Sequence, residues 1–389
     1  ILLKMNLMEL FSLLKSQYKY FLILTLVYSC TQKTNTAIND VKNYKKIPLK
    51  YAKRFAVYSN KDEIIIYLFG NKNISDTTNI YILNSNTTKT KILNKSQFLK
   101  TPVNSIISLS SLYSFMLTEL GALNNIIAIE NANYYNNTLI LNAIKTDKIK
   151  EVQKNVELNI EQIINLNPNI VFGYGMPESS TNNFQKLNKA NIATVLCLDH
   201  LESSPLARAE WVKFYGYFIN KQNKADSIFN SIEKDYLYVK KSVENIKAKP
   251  TVFTELKYGD IWYAPGGNSF MAQLLNDAGA DYIFKSDTNT GSLHLSFETV
   301  YSNCKNADYW LNISNCSKKE DIISNDIRNS KFNAFQKNNL FNNNKVSNAF
   351  GCSTYWESGL LYPNKLLKDL TNIFHFHKFD SLIYYKQLN

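Results

Sequence analysis

Arginine is scarce in this chain of 389 residues. Of its 44 basic residues only three are arginine, Arg54, Arg208 and Arg328, although the formal net charge is +12. Nucleic-acid recognition favours arginine forks, and the lysines here are scattered among asparagines instead of forming a basic block. The composition therefore argues against a nucleic-acid-binding protein. It favours a solvated lysine surface that anionic lipid would attract.

Catalytic and metal-binding motifs are lacking as well. The sequence contains no glycine-rich phosphate loop, no Gly-x-Ser-x-Gly and no His-Glu-x-x-His. No two of its five cysteines have the Cys-x-x-Cys spacing of a zinc site. We therefore expect no enzyme activity, no resident metal and no cofactor. Cys304 and Cys316 are the pair of cysteines nearest in sequence and could form a disulfide. The alternative is that these two cysteines, together with Cys197 and Cys352, are buried free thiols.

The apolar run 20–27 is too short to span a bilayer but has the length of a signal-peptide core. It leads into Ser29-Cys30, and a small residue directly before cysteine resembles a bacterial lipoprotein cleavage site. We predict a signal peptide over 1–29, a lipidated Cys30 and a polar tether over 30–44. These features place the protein in the bacterial cell envelope, on the periplasmic side, anchored to a membrane by lipid.

Hydrophobic patterning predicts an α/β protein of two lobes. Extra strands within 52–83 precede a βαβα alternation of apolar strands and helices, which indicates a parallel sheet flanked by helices. Helical spacing then runs from 205 to 246 without a proline, which predicts one helix roughly 60 Å long. The expected parts are an N-terminal lobe over 45–204, a bridging helix over 205–248 and a second lobe with its own parallel sheet over 249–389.

Four stretches carry a family resemblance. Residues 159–171 read Asn-Ile-Glu-Gln-Ile-Ile-Asn-Leu-Asn-Pro-Asn-Ile-Val, and residues 295–300 read Leu-Ser-Phe-Glu-Thr-Val. Residues 106–109 lead to a helix that ends in Leu-Gly-Ala at 120–122, and 210–214 read Glu-Trp-Val-Lys-Phe. Together they resemble the substrate-binding proteins of ABC importers for iron chelates, cobalamin and haem, whose two α/β lobes are bridged by one rigid helix.

This resemblance implies a monomer that captures a metal chelate, such as a ferric siderophore or a cobalamin-type ligand, and delivers it to ABC permease subunits. It also implies that Glu161 and Glu298, one on each lobe, dock onto permease arginines. A carboxylate left unpaired near a helix N-terminus suits that role, and helix capping alone is the alternative. Two other functions stay open: an envelope enzyme, and a surface lipoprotein that captures haem or chelates without an ABC partner.

Ligands of α/β proteins bind at the carboxyl ends of parallel strands, where this sequence places aromatic residues and glycines. The glycines of 173–176 and 266–267 would let the backbone approach a bulky ligand. Arg208 would either pair with an anionic ligand group or anchor the bridging helix. The predicted ligand-binding residues are Tyr134, Tyr135, Tyr174, Arg208, Trp262, Tyr263 and Trp356.

Overall fold

The computed structural model describes residues 43–61, 63–70, 77–84, 96–154, 157–174 and 179–389. The predicted signal peptide, Cys30, nearly all of the tether and Gly175 lie outside these ranges. Residues 46–389 form one compact unit. Among the described helices, none combines the length and the apolar character needed to cross a membrane.

The extra strands at the start of the first lobe form a separate sheet in the order β1-β2-β3-β4-β5. Its β2, β3 and β4 are antiparallel, as predicted, and β5 runs parallel to β4. Phe55 packs its ring 4.9 Å from that of Trp211, which attaches the sheet to the helices between the lobes. The strands are β1 Lys45–Ile47, β2 Phe55–Ser59, β3 Glu63–Phe69, β4 Thr77–Asn84 and β5 Ser96–Lys100.

The first lobe is built on a parallel sheet in the order β12-β11-β6-β7-β8. Its central strands are buried and apolar because helices cover both faces. The strands are β6 Ile106–Ser108, β7 Ile126–Ile129, β8 Lys150–Glu151, β11 Ile170–Tyr174 and β12 Thr194–Cys197, with a small ribbon of β9 Gln153–Lys154 and β10 Glu157–Leu158. The helices are α1 Ser111–Glu119, α2 Thr138–Lys145, α3 Ile160–Leu166 and α4 Ser179–Lys189.

The second lobe repeats this plan with the order β16-β13-β18-β19-β20, in which only β20 is antiparallel. An antiparallel ribbon, β14-β15-β17, lies beside it. Its strands are β13 Thr251–Thr254, β14 Lys257–Tyr258, β15 Ile261–Pro265, β16 Asp281–Tyr282, β17 Ser292–Leu295, β18 Tyr309–Leu311, β19 Leu340–Asn342 and β20 Lys386–Gln387. Its helices are α7 Phe270–Asp277, α8 Phe297–Cys304, α9 Lys319–Asn325, α10 Asn333–Gln336 and α11 Pro363–Thr371.

The predicted single bridging helix is wrong, because the segment between the lobes is a helical hairpin of α5 Pro205–Phe218 and α6 Gln222–Val243. Asn220 separates the two helices in a left-handed conformation, with φ 53°. The helices then run antiparallel: the Lys213 ammonium lies 3.2 Å from the Asp226 carboxylate on α6. Every residue of α5 is buried, and this helix contacts α1 of the first lobe and α7 and α11 of the second.

The lobes also touch directly through hydrogen bonds that we call the clasp, made by Asn136 and Asn137 of the first lobe and Asn348 and Glu357 of the second. The buried Glu357 carboxylate accepts the backbone N–H groups of Asn136 and Asn137 at 2.9 and 3.1 Å. The Asn348 side-chain amide donates to the backbone carbonyls of Asn133 and Tyr135 at 2.8 and 3.1 Å. The hairpin and the clasp therefore hold the two lobes together.

Candidate functional site

A cleft of about 480 Å³ lies between the two lobes. The loop after β12 and the start of α5 form its first-lobe wall. Its second-lobe wall consists of the ends of β13 and β18, part of β15, the start of α7, and Tyr355 with Trp356. The cleft thus lies where the carboxyl ends of parallel strands from both lobes meet, which is the usual ligand site of α/β folds.

Two guanidinium groups line the first-lobe wall. Arg208 donates from Nε to the carbonyl of Asp199 at 3.2 Å and from Nη2 to that of His200 at 2.9 Å. The Arg208 guanidinium also lies 4.4 Å from the centre of the Phe270 ring on the opposite lobe. Arg54, which immediately precedes β2, is fixed by a 2.8 Å bond from Nη1 to the carbonyl of Gly70. Two of the three arginines of the chain therefore line this cleft.

The first-lobe wall also holds buried carboxyl groups close to its guanidinium groups. Burial lowers the pKa of His200 to about 4, and the charges of Arg208 and Arg54 act in the same direction, so the imidazole is neutral. The buried Glu202 carboxylate, which also lines the cleft, accepts backbone N–H groups at 2.8 and 2.9 Å and the Trp211 indole N–H at 3.2 Å. These hydrogen bonds do not remove the charge of a carboxylate, so what the guanidinium groups add to the wall is a set of directed N–H donors.

The second-lobe wall combines aromatic surface with a carboxyl. Tyr263 and Trp356 line the cleft and remain 38% and 56% exposed. Glu255 directly follows β13 and Asn312 directly follows the neighbouring strand β18. Burial raises the pKa of Glu255 to about 8, an effect that the side chain of Asn312 opposes. This wall therefore offers apolar area and a carboxyl that is largely protonated at pH 7.

Five of the seven predicted ligand-binding residues lie at a cavity surface. Arg208, Tyr263 and Trp356 line the cleft. Tyr134 and Tyr174 line a second pocket of about 940 Å³ on the first lobe. The Tyr174 ring stacks on that of His200, with centroids 4.0 Å apart, so this second pocket adjoins the cleft.

The structure corrects the assignment of Tyr135 and Trp262, which are fully buried. The Tyr135 hydroxyl donates to the carboxyl group of Glu130 at 2.7 Å, inside the first lobe. The Trp262 indole donates to the carbonyl of Thr254 at 2.9 Å. Each belongs to the core of its lobe, where a large aromatic ring with one satisfied polar group is stabilising.

The glycine pair 266–267 also has a role other than ligand approach. A Cβ at Gly266 would collide with the carbonyl of Asn289, and one at Gly267 with that of Asp287. These glycines are therefore needed where two backbone segments of the second lobe lie against each other.

Glu161 and Glu298 occupy the first turns of α3 and α8, as expected, but they differ in pairing. Glu161 is exposed, and the described residues give it no hydrogen bond or ion pair. Glu298 is held by Nη1 of Arg328 at 2.9 Å. Arg328 in turn binds Asp326 at 2.7 Å. The expectation of an unpaired carboxylate therefore fits Glu161 and is wrong for Glu298.

The described part of the chain has no cluster of three or more His, Cys, Asp or Glu side chains that could hold a metal ion. Cys304 and Cys316 are free thiols and form no disulfide, and Cys197 and Cys352 are free as well.

Arg54, Glu255 and Asn312 are cleft residues that sequence reasoning missed. The rarity of arginine was a usable signal for Arg54, because a guanidinium forms bidentate pairs with anionic groups that a lysine cannot form. Glu255 and Asn312 each directly follow a strand, and the strand-end rule selects such residues only when the last residue of the strand is known.

Comparison with known proteins gives a family match. A sequence model described as periplasmic binding protein matches residues 106–345. An uncharacterized lipoprotein of Methanocaldococcus jannaschii is 29% identical over 233 residues, which cover 59% of this chain and 53% of that protein. A second uncharacterized lipoprotein of the same organism is 25% identical over 317 residues, covering 75% and 76%. The chain thus spans about half the length of the first of these relatives.

Solved structures agree on the fold. A protein of an ABC-type Fe3+-hydroxamate transport system from Saccharomonospora viridis has a TM-score of 0.54 at 17% identity, over 70% of this chain and 93% of that one. A periplasmic haem-binding protein from Pseudomonas aeruginosa has a TM-score of 0.55 at 14% identity, over 74% and 98%. These likenesses confirm the predicted two-lobed α/β fold class.

Proposed function

The chain belongs to the periplasmic binding protein family, and we propose that it captures an anionic metal chelate in the cleft and delivers it to an ABC transporter. The observation that carries this proposal is the pair of guanidinium groups, Arg54 and Arg208, opposite the aromatic surface of Tyr263 and Trp356. Guanidinium groups bind carboxylate and other oxyanion groups bidentately, and aromatic faces add apolar contact area.

The size of the cleft favours a compact chelate. Its volume of about 480 Å³ falls in the range of small-molecule sites, about 300–1,000 Å³. A ferric siderophore or haem is of this order, whereas the much bulkier cobalamin would require the lobes to separate against the clasp. We therefore rank ferric chelates and haem above cobalamin-type cargo.

Delivery would use the exposed glutamates. Glu161 is ready to accept a permease arginine, and Glu298 would exchange its internal partner Arg328 for one. An ion pair between two exposed side chains contributes little to stability, so the exchange would cost little. The predicted lipid anchor at Cys30 is in keeping with the relatives, which are named lipoproteins. No catalytic step is required of the protein in this role.

Thermal unfolding of residues 31–389 with candidate ligands tests the proposal. We would use ferric citrate, ferrichrome, haem, cobalamin and molybdate, and an Arg208→Gln variant as the matched control. A true cargo at about 100 times its dissociation constant adds roughly 2.7 kcal/mol to the free energy of unfolding. We expect one compound to shift the wild-type midpoint by several degrees and the variant by much less. If no compound shifts the wild type, the proposal is wrong.

The pairing of Glu298 with Arg328 favours a second candidate, a surface lipoprotein that captures haem or chelates without an ABC partner. The two functions differ in their need for docking carboxylates. Under the ABC proposal, Glu161→Ala and Glu298→Ala together would abolish chelate uptake by cells while leaving chelate binding by the purified protein unchanged. Uptake at the wild-type rate would support the second candidate.

A further inference from the structure

Glu255 has a backbone conformation that its residue type disfavours. Its φ is 69°, in the left-handed region. Asn312, at the end of the neighbouring strand, has φ 54°, but asparagine tolerates this conformation far better than glutamate. In the left-handed region a Cβ comes too close to the following carbonyl oxygen, so this conformation is strained for glutamate. Strain of this kind is retained chiefly at functional sites.

The backbone of Glu255 makes two hydrogen bonds that hold the second lobe together. Its N–H donates to the carbonyl of Leu311 at 3.0 Å, and its carbonyl accepts the indole N–H of Trp310 at 2.7 Å. Glycine would supply both groups without strain. The half-buried side chain instead lines the cleft, and no lysine or arginine of the described chain forms an ion pair with it. The reason for a glutamate here must therefore lie in the cleft.

We propose that Glu255 contacts the ligand directly, as a neutral carboxyl that donates a hydrogen bond to an anionic oxygen of the chelate, opposite Arg54 and Arg208. This inference rests on the proposed function and narrows the ligand class. The cleft would select chelates that present anionic oxygens, such as carboxylates, to both of its walls.

The surroundings of Glu255 favour the neutral form. The amide of Asn312 faces the carboxyl, and the other titratable groups around it are the hydroxyls of Tyr282, Tyr355 and Tyr385. With no cation in contact, burial dominates and raises the pKa to about 8. An anionic ligand would raise this pKa further, so binding would hold the proton in place. Affinity would then be highest below pH 8 and would fall above it.

Ferric citrate is the probe, and Glu255→Gln is the decisive variant because its neutral amide also donates a hydrogen bond. Titration calorimetry between pH 6 and pH 9.5 would measure the affinity of both proteins. For the wild type we expect a fall of roughly tenfold for each pH unit above the pKa of the carboxyl. The glutamine variant should still bind, with that fall abolished. Both proteins are measured against the same dissolved species of ferric citrate at each pH. The ratio of their affinities therefore reports the effect of the side chain at position 255 alone.

The opposite role, a carboxylate that accepts a cationic ligand group, gives opposite results. Wild-type affinity would then rise with pH, and Glu255→Gln would bind at least tenfold more weakly. Either result would overturn the inference.

Glu255→Gly separates ligand contact from structural support. Because glycine relieves the strained φ, we expect its unfolding midpoint to equal or exceed that of the wild type while ferric citrate binds about tenfold more weakly. A glycine variant that binds ferric citrate as tightly as the wild type would show that the carboxyl makes no contact.

Two further outcomes separate this inference from the proposed function. If the neutral chelate ferrichrome binds as tightly as ferric citrate, the inference fails and chelate capture stands. If the wild type binds none of the chelates, both fail together.

Discussion

Individual buried carboxylates in this protein are satisfied by backbone N–H groups, and in this way they join distant segments. The fully buried Glu210 accepts the N–H groups of Lys50, Tyr51 and Ala52 at 3.0, 2.8 and 2.9 Å. Asp369 binds the N–H groups of residues 383–385 in the same manner. Hydrogen bonds to a charged acceptor are about twice as strong as neutral ones. Each of these carboxylates therefore fixes a stretch of chain that has little secondary structure of its own.

The contrast between Glu210 and Asp226 gives a matched test at the residue scale. Both carboxylates lie 3.2 Å from the Lys213 ammonium, but the side chain of Glu210 is buried and that of Asp226 is 54% exposed. We expect Glu210→Gln to lower the free energy of unfolding by about 2–3 kcal/mol, because it weakens several buried charged hydrogen bonds. Asp226→Asn should cost less than about 1 kcal/mol.

Urea unfolding followed by tryptophan fluorescence would measure both variants, since the chain carries four tryptophans. Equal losses for the two variants would contradict the claim that the backbone N–H groups, and not the shared lysine, give Glu210 its role.

The neighbours Trp262 and Tyr263 show what sequence can and cannot predict about a residue. Successive side chains of a strand point to opposite sides, and in β15 Trp262 points into the core while Tyr263 points into the cleft. The sequence predicted that the pair lies beside a strand end. It could not predict which of the two side chains faces the core and which faces the cleft, because both residues are aromatic and the polar and apolar residues around them do not alternate clearly.

At the scale of elements, the turn between α5 and α6 could not be predicted from the sequence, because it contains neither glycine nor proline. Helical spacing of apolar residues continues through 219–221, and only Asn220 signals the reversal by its tolerance of positive φ. The close approach of the two helices rests on Gly216, where a Cβ would come 2.9 Å from that of Ala225.

The close packing of α5 against α6 can be tested with a substitution whose expected effect on stability is opposite to the effect that helix propensity predicts. Alanine is favoured over glycine inside a helix by about 1 kcal/mol, yet we expect Gly216→Ala to destabilise the protein by about 1–3 kcal/mol through overpacking. Adding Ala225→Gly should restore part of that loss, because it removes the atom in the way. The four proteins form a double-mutant cycle that thermal unfolding can measure. If Gly216→Ala alone is stabilising, the helices are not packed as closely as the structure has them.

At the scale of the whole molecule, the order of strands and helices was largely predictable and their pairing was not. Alternating apolar strands and helices indicated parallel sheets, and the structure confirms two. The strands β14, β17 and β19 were missed because they are short or largely polar, and tertiary pairing alone makes them strands. The cleft draws on chain positions from Arg54 to Trp356, so no local pattern could assemble it.

Stability should fall as pH rises through neutrality. Burial raises the pKa of Glu130 and of Glu255 from about 4.5 to about 8. Between pH 4.5 and pH 8 the folded protein keeps two protons that the unfolded chain has released. As the pH rises through this interval, each of the two groups therefore lowers the free energy of unfolding by up to about 1.4 kcal/mol per pH unit. His200, with its pKa lowered to about 4, acts in the opposite direction but only up to its usual 6.5.

Urea unfolding at pH 6.5, 7.25 and 8 would measure the slope, and the variant Glu130→Gln combined with Glu255→Gln should flatten it. A wild-type stability that increases over this interval would contradict the protonated state of both carboxyls.

The first strands of the chain depend on partners that are synthesised much later. The N–H groups of residues 50–54 are bound by Glu202 and Glu210, about 150 positions further along. Contacts over such sequence separations slow folding, because a long loop must close before they form. A nascent chain that ends before α5 lacks the Glu210 acceptor, so the N-terminal sheet can complete its docking only after the helical hairpin has been synthesised.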